Sequence, residues 1–310
     1  MVSPGGNALH SRAKVADYFF FLRPMLHPPV WTIVILGYFR IAESYSARLG
    51  WLLMVSSACA SWAYIVNQIS DIESDRINRK LFFLPEKIIR PGTARVMATV
   101  ALLIAFIGGF ALGIKIGLLF TVGLSMGYAY SARPFGWKAR PIAGFLANAV
   151  AHGILMFMVG YLVGGGEPWT GLLYSTPYFF AVGAAFIGTT IPDYEGDRKT
   201  GKITPAVSLG PKSASAFMAI CADSAVIAAF LVDDMPMFLA ASISLPFYHY
   251  YWQKGKYGGN PIVAVKISIL ALTLAAAWRF WPYLAGFMLL ILVTRIYYLK
   301  RFHIIYPKLT

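Results

Sequence analysis

The sequence predicts an all-α fold, a polytopic bundle of membrane-spanning helices. Three observations carry this expectation. Of 310 residues, 58% are hydrophobic and only 13% charged, against about 45–50% and about 25% in an ordinary soluble domain. The apolar residues fall in runs close to the roughly 20 that a membrane helix needs, too long and too numerous for the alternating strands of a β-barrel. The charges are sorted between the runs rather than spread along them.

Taken in order, ten candidate spans lie near residues 27–47, 50–69, 94–113, 115–131, 141–164, 171–191, 212–232, 235–252, 262–280 and 282–300. Gly and Pro recur inside them, which membrane helices tolerate. No long linker or low-complexity segment divides them, so residues 1–310 are expected to form a single integral membrane domain. Residues 1–16 are polar and the first apolar run lacks a small-residue cleavage site, so no cleavable signal is expected. Cys59 and Cys221 fall inside spans and are expected to pack there rather than to form a disulfide.

The net charge of +14 would suggest a polyanion partner in a soluble protein. In a membrane protein the same excess belongs to cytoplasmic loops. Arg12, Lys14 and Arg23 precede the first span. Arg76, Arg79, Lys80, Lys87, Arg90 and Arg95 lie between the second and third. Arg133, Lys138 and Arg140 follow the fourth, and Arg198, Lys199, Lys202 and Lys212 the sixth. Lys254 and Lys256 follow the eighth, and Lys300, Arg301 and Lys308 close the chain. With ten spans, all these segments share one side. The positive-inside rule makes that side cytoplasmic, with both termini and the loops at about 70–93, 132–140 and 192–211. The partner is then the lipid bilayer, and no nucleic acid is implied.

Six of the 13 acidic residues sit in two windows, Asp71-Ile72-Glu73-Ser74-Asp75 and Asp193-Tyr194-Glu195-Gly196-Asp197, each followed by Arg. Each begins where an even-numbered span reaches the cytoplasmic face. Residues four apart share a helix face, so Asn67, Asp71 and Asp75 form one polar stripe, and Asp193 and Asp197 another. Glu73 and Glu195 point away and are expected to face solvent or neighbouring bases. Like charges at this spacing repel. A divalent cation would relieve them, and Mg²⁺ takes one or two carboxylates together with substrate phosphates and water. Arg76, Arg79, Lys80, Arg133, Lys138, Arg198 and Lys202 lie in the three loops nearest the acids, where they would stabilise a departing diphosphate.

Asn67-Gln68-Ile69-Ser70-Asp71-Ile72-Glu73-Ser74-Asp75 resembles the N-D-x-x-D-x-x-x-D motif of the UbiA superfamily of intramembrane prenyltransferases. Asp193-Tyr194-Glu195-Gly196-Asp197, with Gly201, is similar to that family's D-x-x-x-D-x-x-x-G motif. Tyr130-Ser131, Pro134 and Lys138 resemble its Y-S-x-P-P-x-x-x-K loop. Arg23-Pro24, with Pro28 and Pro29, is similar to its N-terminal helix. The sequence departs from the pattern at Gln68, where an Asp is usual, and at Arg133, where the first Pro is common. The family usually has nine spans against the ten counted here, so nine or ten are expected, and the resemblance implies that the two Asp-rich motifs lie at the cytoplasmic mouth of a central cavity.

The resemblance also implies a reaction, transfer of a prenyl group from a polyprenyl diphosphate to a lipophilic, aromatic-type acceptor within the membrane. Asn67, Asp71, Asp75, Asp193 and Asp197 would hold Mg²⁺, two ions bridging the diphosphate. Asp71, Asp75, Asp193, Asp197 and Lys138 would form the catalytic set. Arg23, Asn67, Arg79, Tyr130, Arg133, Lys138, Arg198 and Lys202 would contact the diphosphate. Tyr64, Tyr128, Tyr130, Phe145 and Tyr178 are expected to line the cavity, where aromatic faces can stabilise an allylic cation by about 0.5–2 kcal/mol each. His152 is a core histidine or an acceptor contact. Two alternatives stand beside this one, a terpene cyclase on the same scaffold and a cation-coupled transporter. The transporter would need acids near mid-membrane, whereas these cluster at one face.

Overall fold

The structure, a computed structural model, describes residues 13–77, 82–255 and 259–307, and every regular element among them is helical. The described chain enters on a short helix, α1 (Val15–Phe21), turns at Arg23 and continues into α2 (His27–Phe39), so that Val15–Phe39 reads as one span. Arg23 takes the left-handed conformation, φ 58°, which is uncommon outside glycine. Pro24 then opens a single turn, Pro24–Leu26. Proline suits a first helical position because its missing N–H has no helical partner to lose.

The remaining helices follow in order. They are α3 (Ala47–Ser70), α4 (Ile72–Ile77), α5 (Pro91–Leu112), α6 (Ile114–Ser131), α7 (Pro141–Val163), α8 (Pro168–Tyr174), α9 (Thr176–Thr190), α10 (Tyr194–Lys199), α11 (Pro205–Leu209), α12 (Pro211–Leu231), α13 (Met235–Lys254), α14 (Ile262–Arg279) and α15 (Trp281–Phe302). The first span therefore stops at Phe39 rather than near 47. Arg40 ends it by turning its guanidinium to the carbonyls of Val232 and Asp233, at 2.8 and 2.7 Å.

By length and apolarity, seven described helical segments could cross a membrane alone: Val15–Phe39, α3, α5, α7, α12, α14 and α15. The pair α8 and α9, bent by 41°, would supply an eighth. The sequence-predicted spans at 115–131 and 235–252 are present as α6 and α13. Their ends are polar and aromatic, Tyr128-Ala129-Tyr130-Ser131 and Tyr248-His249-Tyr250-Tyr251, which lowers their hydropathy.

The helices close a ring. α2 packs on α3 and on the second half of α7, α3 on α5, α5 on α6 and α6 on α7. The circuit continues from α7 through α9, α12, α13 and α14, which returns to α2. Large apolar side chains such as Leu103, Ile107, Phe230, Trp278 and Leu289 point outward and are exposed, as a lipid-facing surface requires. Packing inside the ring relies on small residues, which let helices approach closely without help from a hydrophobic driving force. A Cβ on Gly160 would lie 2.1 Å from the carbonyl oxygen of Val34, and one on Gly37 would lie 2.3 Å from that of Phe157. Gly160→Ala must therefore push α2 and α7 apart. It should cost about 1–3 kcal/mol, the usual range for overpacking, seen as a lower thermal midpoint in detergent. An unchanged midpoint would contradict this close contact.

Candidate active site

The two acidic windows fold alike. In each, the first aspartate stands at a break between a long helix and a six-residue one. Asp71 ends α3 and precedes α4; Asp193 follows α9 and caps α10. The backbone pattern of a helix continues through each window. Asp71 N–H donates to Asn67 O at 3.0 Å, Asp75 N–H to Asp71 O at 2.7 Å, and Asp197 N–H to Asp193 O at 2.8 Å. The four-residue backbone bond thus carries across both breaks.

The second window ends on Gly201, φ 72°. Its positive φ lets Lys202 N–H reach back to Asp197 O at 2.9 Å, the closing bond of a Schellman turn. The turn brings Lys202 Nζ to 3.6 Å from Asp197 Oδ1. A side chain at Gly201 would strain this reversal.

The loop after α6 supplies the next element. Lys138 forms an ion pair with Asp71 Oδ1 and donates to Ser70 Oγ at 2.8 Å. Neither member of that pair is deeply buried. Asn67 donates to Ser131 Oγ at 3.4 Å, linking the same two segments one turn deeper. Tyr130 engages the Asn148 side chain and lies within electrostatic range of both Asp71 and Asp197, one from each window.

Below Asn67 the ring encloses a cavity with two lobes, of about 230 and 520 Å³. Both lobes share Arg23, Tyr64, Tyr130, Asn148 and His152. α7 contributes Asn148 and His152 from a π-helical stretch around Ala149–Leu155, a distortion often found at functional sites. The lobe walls are mostly apolar, as an isoprenoid chain needs at about 0.8 kcal/mol per buried CH₂. At the far end, the Tyr178 hydroxyl donates to Asp234 Oδ2 at 2.9 Å. Burial raises the Asp234 carboxyl above its usual value.

Of the five aromatic residues expected along the cavity, Tyr64, Tyr130 and Tyr178 line it. Tyr128 is exposed, and Phe145 packs against Phe179 and Phe217 instead. The Tyr64 ring is already engaged, with the Arg23 guanidinium 5.6 Å from its centroid and His27 stacked at 6.2 Å. Its faces are thus poorly placed to meet a substrate cation. Arg133 and Arg198 are exposed, and Arg198 lies 3.4 Å from the Tyr194 hydroxyl. Arg79 lies outside the described residues. Glu73 pairs with Arg76 at 2.8 Å and Glu195 is exposed, as their positions predict. Cys59 and Cys221 are free and buried.

Ser70 and Asn148 are the residues that sequence reasoning missed. Asn148 had a signal, since it lies four residues before His152 inside an apolar span and so on the same helix face. Ser70 had none, because only the folded loop brings Lys138 to it.

Among the described residues, no three or more His, Cys, Asp or Glu side chains come together as a ready-made metal cage. Mg²⁺ is usually held by one or two carboxylates, with phosphate and water completing its shell. Each window carries two aspartates one backbone turn apart.

A model of the UbiA prenyltransferase family matches residues 28–261. The probable homogentisate phytyltransferase 2 of Oryza sativa subsp. japonica is 30% identical over 235 residues, 67% of this chain and 60% of that protein. A 2-acylphloroglucinol 4-prenyltransferase of Humulus lupulus is 32% identical over 180 residues, 54% of this chain and 43% of that one. The digeranylgeranylglyceryl phosphate synthase of Sulfolobus acidocaldarius is 32% identical over 165 residues, 52% of this chain and 57% of that one. The matches thus span 43% to 60% of the length of these relatives. In fold, the chain is similar to a UbiA homologue from Archaeoglobus fulgidus bound to GPP and Mg²⁺, with a TM-score of 0.71 and 22% identity, covering 85% of this chain and 98% of that one.

Proposed function

The chain belongs to the UbiA prenyltransferase family, and from that premise we propose that it transfers a prenyl group from a polyprenyl diphosphate to a lipophilic aromatic acceptor. It is an integral membrane protein, and the single domain formed by the chain would carry this reaction with its acidic loops and both termini in the cytoplasm. The observation that carries the reading is the Lys138–Asp71 pair beside a cavity lined by Arg23, Asn67 and Tyr130. It joins a phosphate-binding type of cation, a metal-binding type of acid and an apolar chamber.

Asn67, Asp71, Asp75, Asp193 and Asp197 would hold Mg²⁺, two ions, whose charge would offset that of the departing diphosphate. Lys138 has a flexible four-carbon stem. It counters Asp71 in this structure and can turn to a phosphate oxygen when substrate arrives. Arg23, Arg198 and Lys202 would supply further positive charge to the diphosphate, as would Arg79 and Arg133. The C1–O bond of the donor breaks and both electrons leave on the diphosphate. C1 then bonds to a nucleophilic atom of the acceptor, whose proton passes to solvent or a neighbouring base. Tyr130 presents aromatic surface to the allylic cation, and the apolar walls keep water from trapping it.

Incubating the protein in nanodiscs with geranylgeranyl diphosphate and homogentisate, with products read by mass spectrometry, tests this. Prenylated acceptor and free diphosphate are expected, and excess EDTA should abolish both. Full turnover in EDTA would remove the metal. A cyclised hydrocarbon without acceptor would favour a cyclase, and no diphosphate release from any prenyl donor would reopen the transporter.

A further inference from the structure

Asp223 lies apart from the acids described so far. Among the described residues it is the one Asp or Glu set more than two turns from both ends of a long helix. At 1.5 Å per residue it is roughly 18 Å from the start of α12 and roughly 12 Å from its end. The hydrocarbon core of a bilayer is about 30 Å thick, so Asp223 stands near its middle. Neither Asp223 nor its partner His249 lines either lobe of the central cavity, and prenyl transfer uses neither.

His249 Nε2 lies 2.8 Å from Asp223 Oδ1. The hairpin explains the pairing. α12 and α13 are joined by a short turn and pack against each other. Side chains lean toward the N-terminus of their own helix, so on antiparallel neighbours these two lean together. The pair faces outward, with the Asp223 side chain 41% exposed and that of His249 29%. Ile220 and Ile227, on the same face of α12, and Trp252, one turn beyond His249, are exposed as well. Ionisable residues inside a membrane almost always face the bundle interior or a water-filled cavity. This pair faces lipid.

A net charge at this depth is costly. As a neutral pair, Asp223 and His249 hold two exchangeable protons between them. One lies between Nε2 and Oδ1. The other sits on Nδ1 or Oδ2, which makes one of these atoms a donor and leaves the other an acceptor. Among the described residues, no hydrogen bond reaches either atom. Lipid tails offer none, and head groups lie outside the hydrocarbon core. A polar group carried into the bilayer by another helix would complete the pair.

A second copy of this chain carries such a group at the matching depth. Both copies insert in the same orientation, so a two-fold axis along the membrane normal brings their pairs level. His249 Nδ1 of each protomer can then meet the partner's Asp223 Oδ2, donor against acceptor. Contacts that repeat reciprocally in this way define an isologous interface. We infer that the outer face of α12 and α13 is a homodimer interface, closed by two Asp223 and two His249 side chains and flanked by Ile220, Ile227 and Trp252.

Energy transfer between donor- and acceptor-labelled copies in liposomes, followed as the protein is diluted with lipid, tests this interface. Transfer is expected to saturate with protein density and to rise linearly with the acceptor-labelled fraction, the mark of a dimer. The double variant Asp223→Leu/His249→Leu strands no polar group. Its thermal midpoint should match the wild type, while association weakens by about tenfold, the effect of two lost interhelical hydrogen bonds. Asp223→His makes a protomer with two imidazoles, and His249→Asp one with two carboxylates. Each alone should associate as weakly as the leucine variant, whereas an equal mixture of the two should regain most of the wild-type association. Thermal midpoints verify folding throughout, and if either single variant does not fold, the leucine variant decides. A wild type that stays monomeric at every density, a leucine variant that associates normally, or a mixture of folded variants no tighter than its parts would overturn the interface.

Discussion

Asp71→Asn is expected to reduce diphosphate release by about a thousandfold or more while the protein still folds. The substitution keeps the shape of the side chain and the backbone N–H that donates to Asn67 O. What it removes is charge. Taking away one preorganised group at a developing oxyanion costs about 10²–10³ in rate. Asp71 is expected to do more than that, as a metal ligand and as the partner of Lys138. A thousandfold loss corresponds to about 4 kcal/mol of transition-state stabilisation. Stability should change little, because Lys138 is partly exposed and can turn to solvent.

Glu73, two residues on, is the internal control. It is largely exposed and paired with Arg76, and exposed pairs of this kind contribute about 0–1 kcal/mol. Glu73→Gln should therefore behave as wild type. Release of labelled diphosphate from farnesyl diphosphate, titrated with Mg²⁺, separates the two. If Asp71→Asn kept more than a tenth of the wild-type rate at saturating Mg²⁺, the assignment of this window would fail.

The contrast between Asp71 and Glu73 also shows why the site was partly legible in the sequence. Carboxylates are costly near a membrane and scarce here, so two matching windows stood out, and the four-residue spacing separated Asp71 and Asp75 from Glu73 before any coordinates. Lys138 was legible from its loop, but its arrival at Asp71 depends on how the chain turns between Ser131 and Pro141. The spans were legible because apolar runs of that length have few alternatives. Their ends were less so. The first span was expected to reach 47, yet Arg40 already marked its limit. The π-helical stretch in α7 and the bend between α8 and α9 are products of packing, and apolar periodicity carries no trace of either. Least legible was the meeting of α1 with α15, which lie at the two ends of the described chain.

Those two ends are joined by the contact expected to matter most for stability. Asp17 on α1 is fully buried and meets Arg301 on α15, which is 7% exposed, with Nη2 3.0 Å from Oδ2 and Nε 3.2 Å from Oδ1. Tyr297 adds its hydroxyl to the same carboxylate at 2.6 Å, and Lys14 its backbone N–H at 2.8 Å. Bidentate geometry and filled lone pairs are the conditions under which a buried pair repays its desolvation. Breaking such a pair from one side leaves a buried charge without its counter-charge, at about 3–5 kcal/mol. Asp17→Ala should therefore lower the thermal midpoint in detergent far more than any exposed-acid substitution such as Glu195→Ala. It should also loosen Phe20 from Tyr297, since both rings sit beside the lost carboxylate. The double variant Asp17→Leu/Arg301→Met distinguishes charge from contact. If the penalty comes from the stranded guanidinium, removing both charges should recover much of the loss, as replacing buried ion pairs by apolar residues often does. A double variant no more stable than Asp17→Ala would mean that α1 is held by the geometry of this network rather than by neutralisation of its charge.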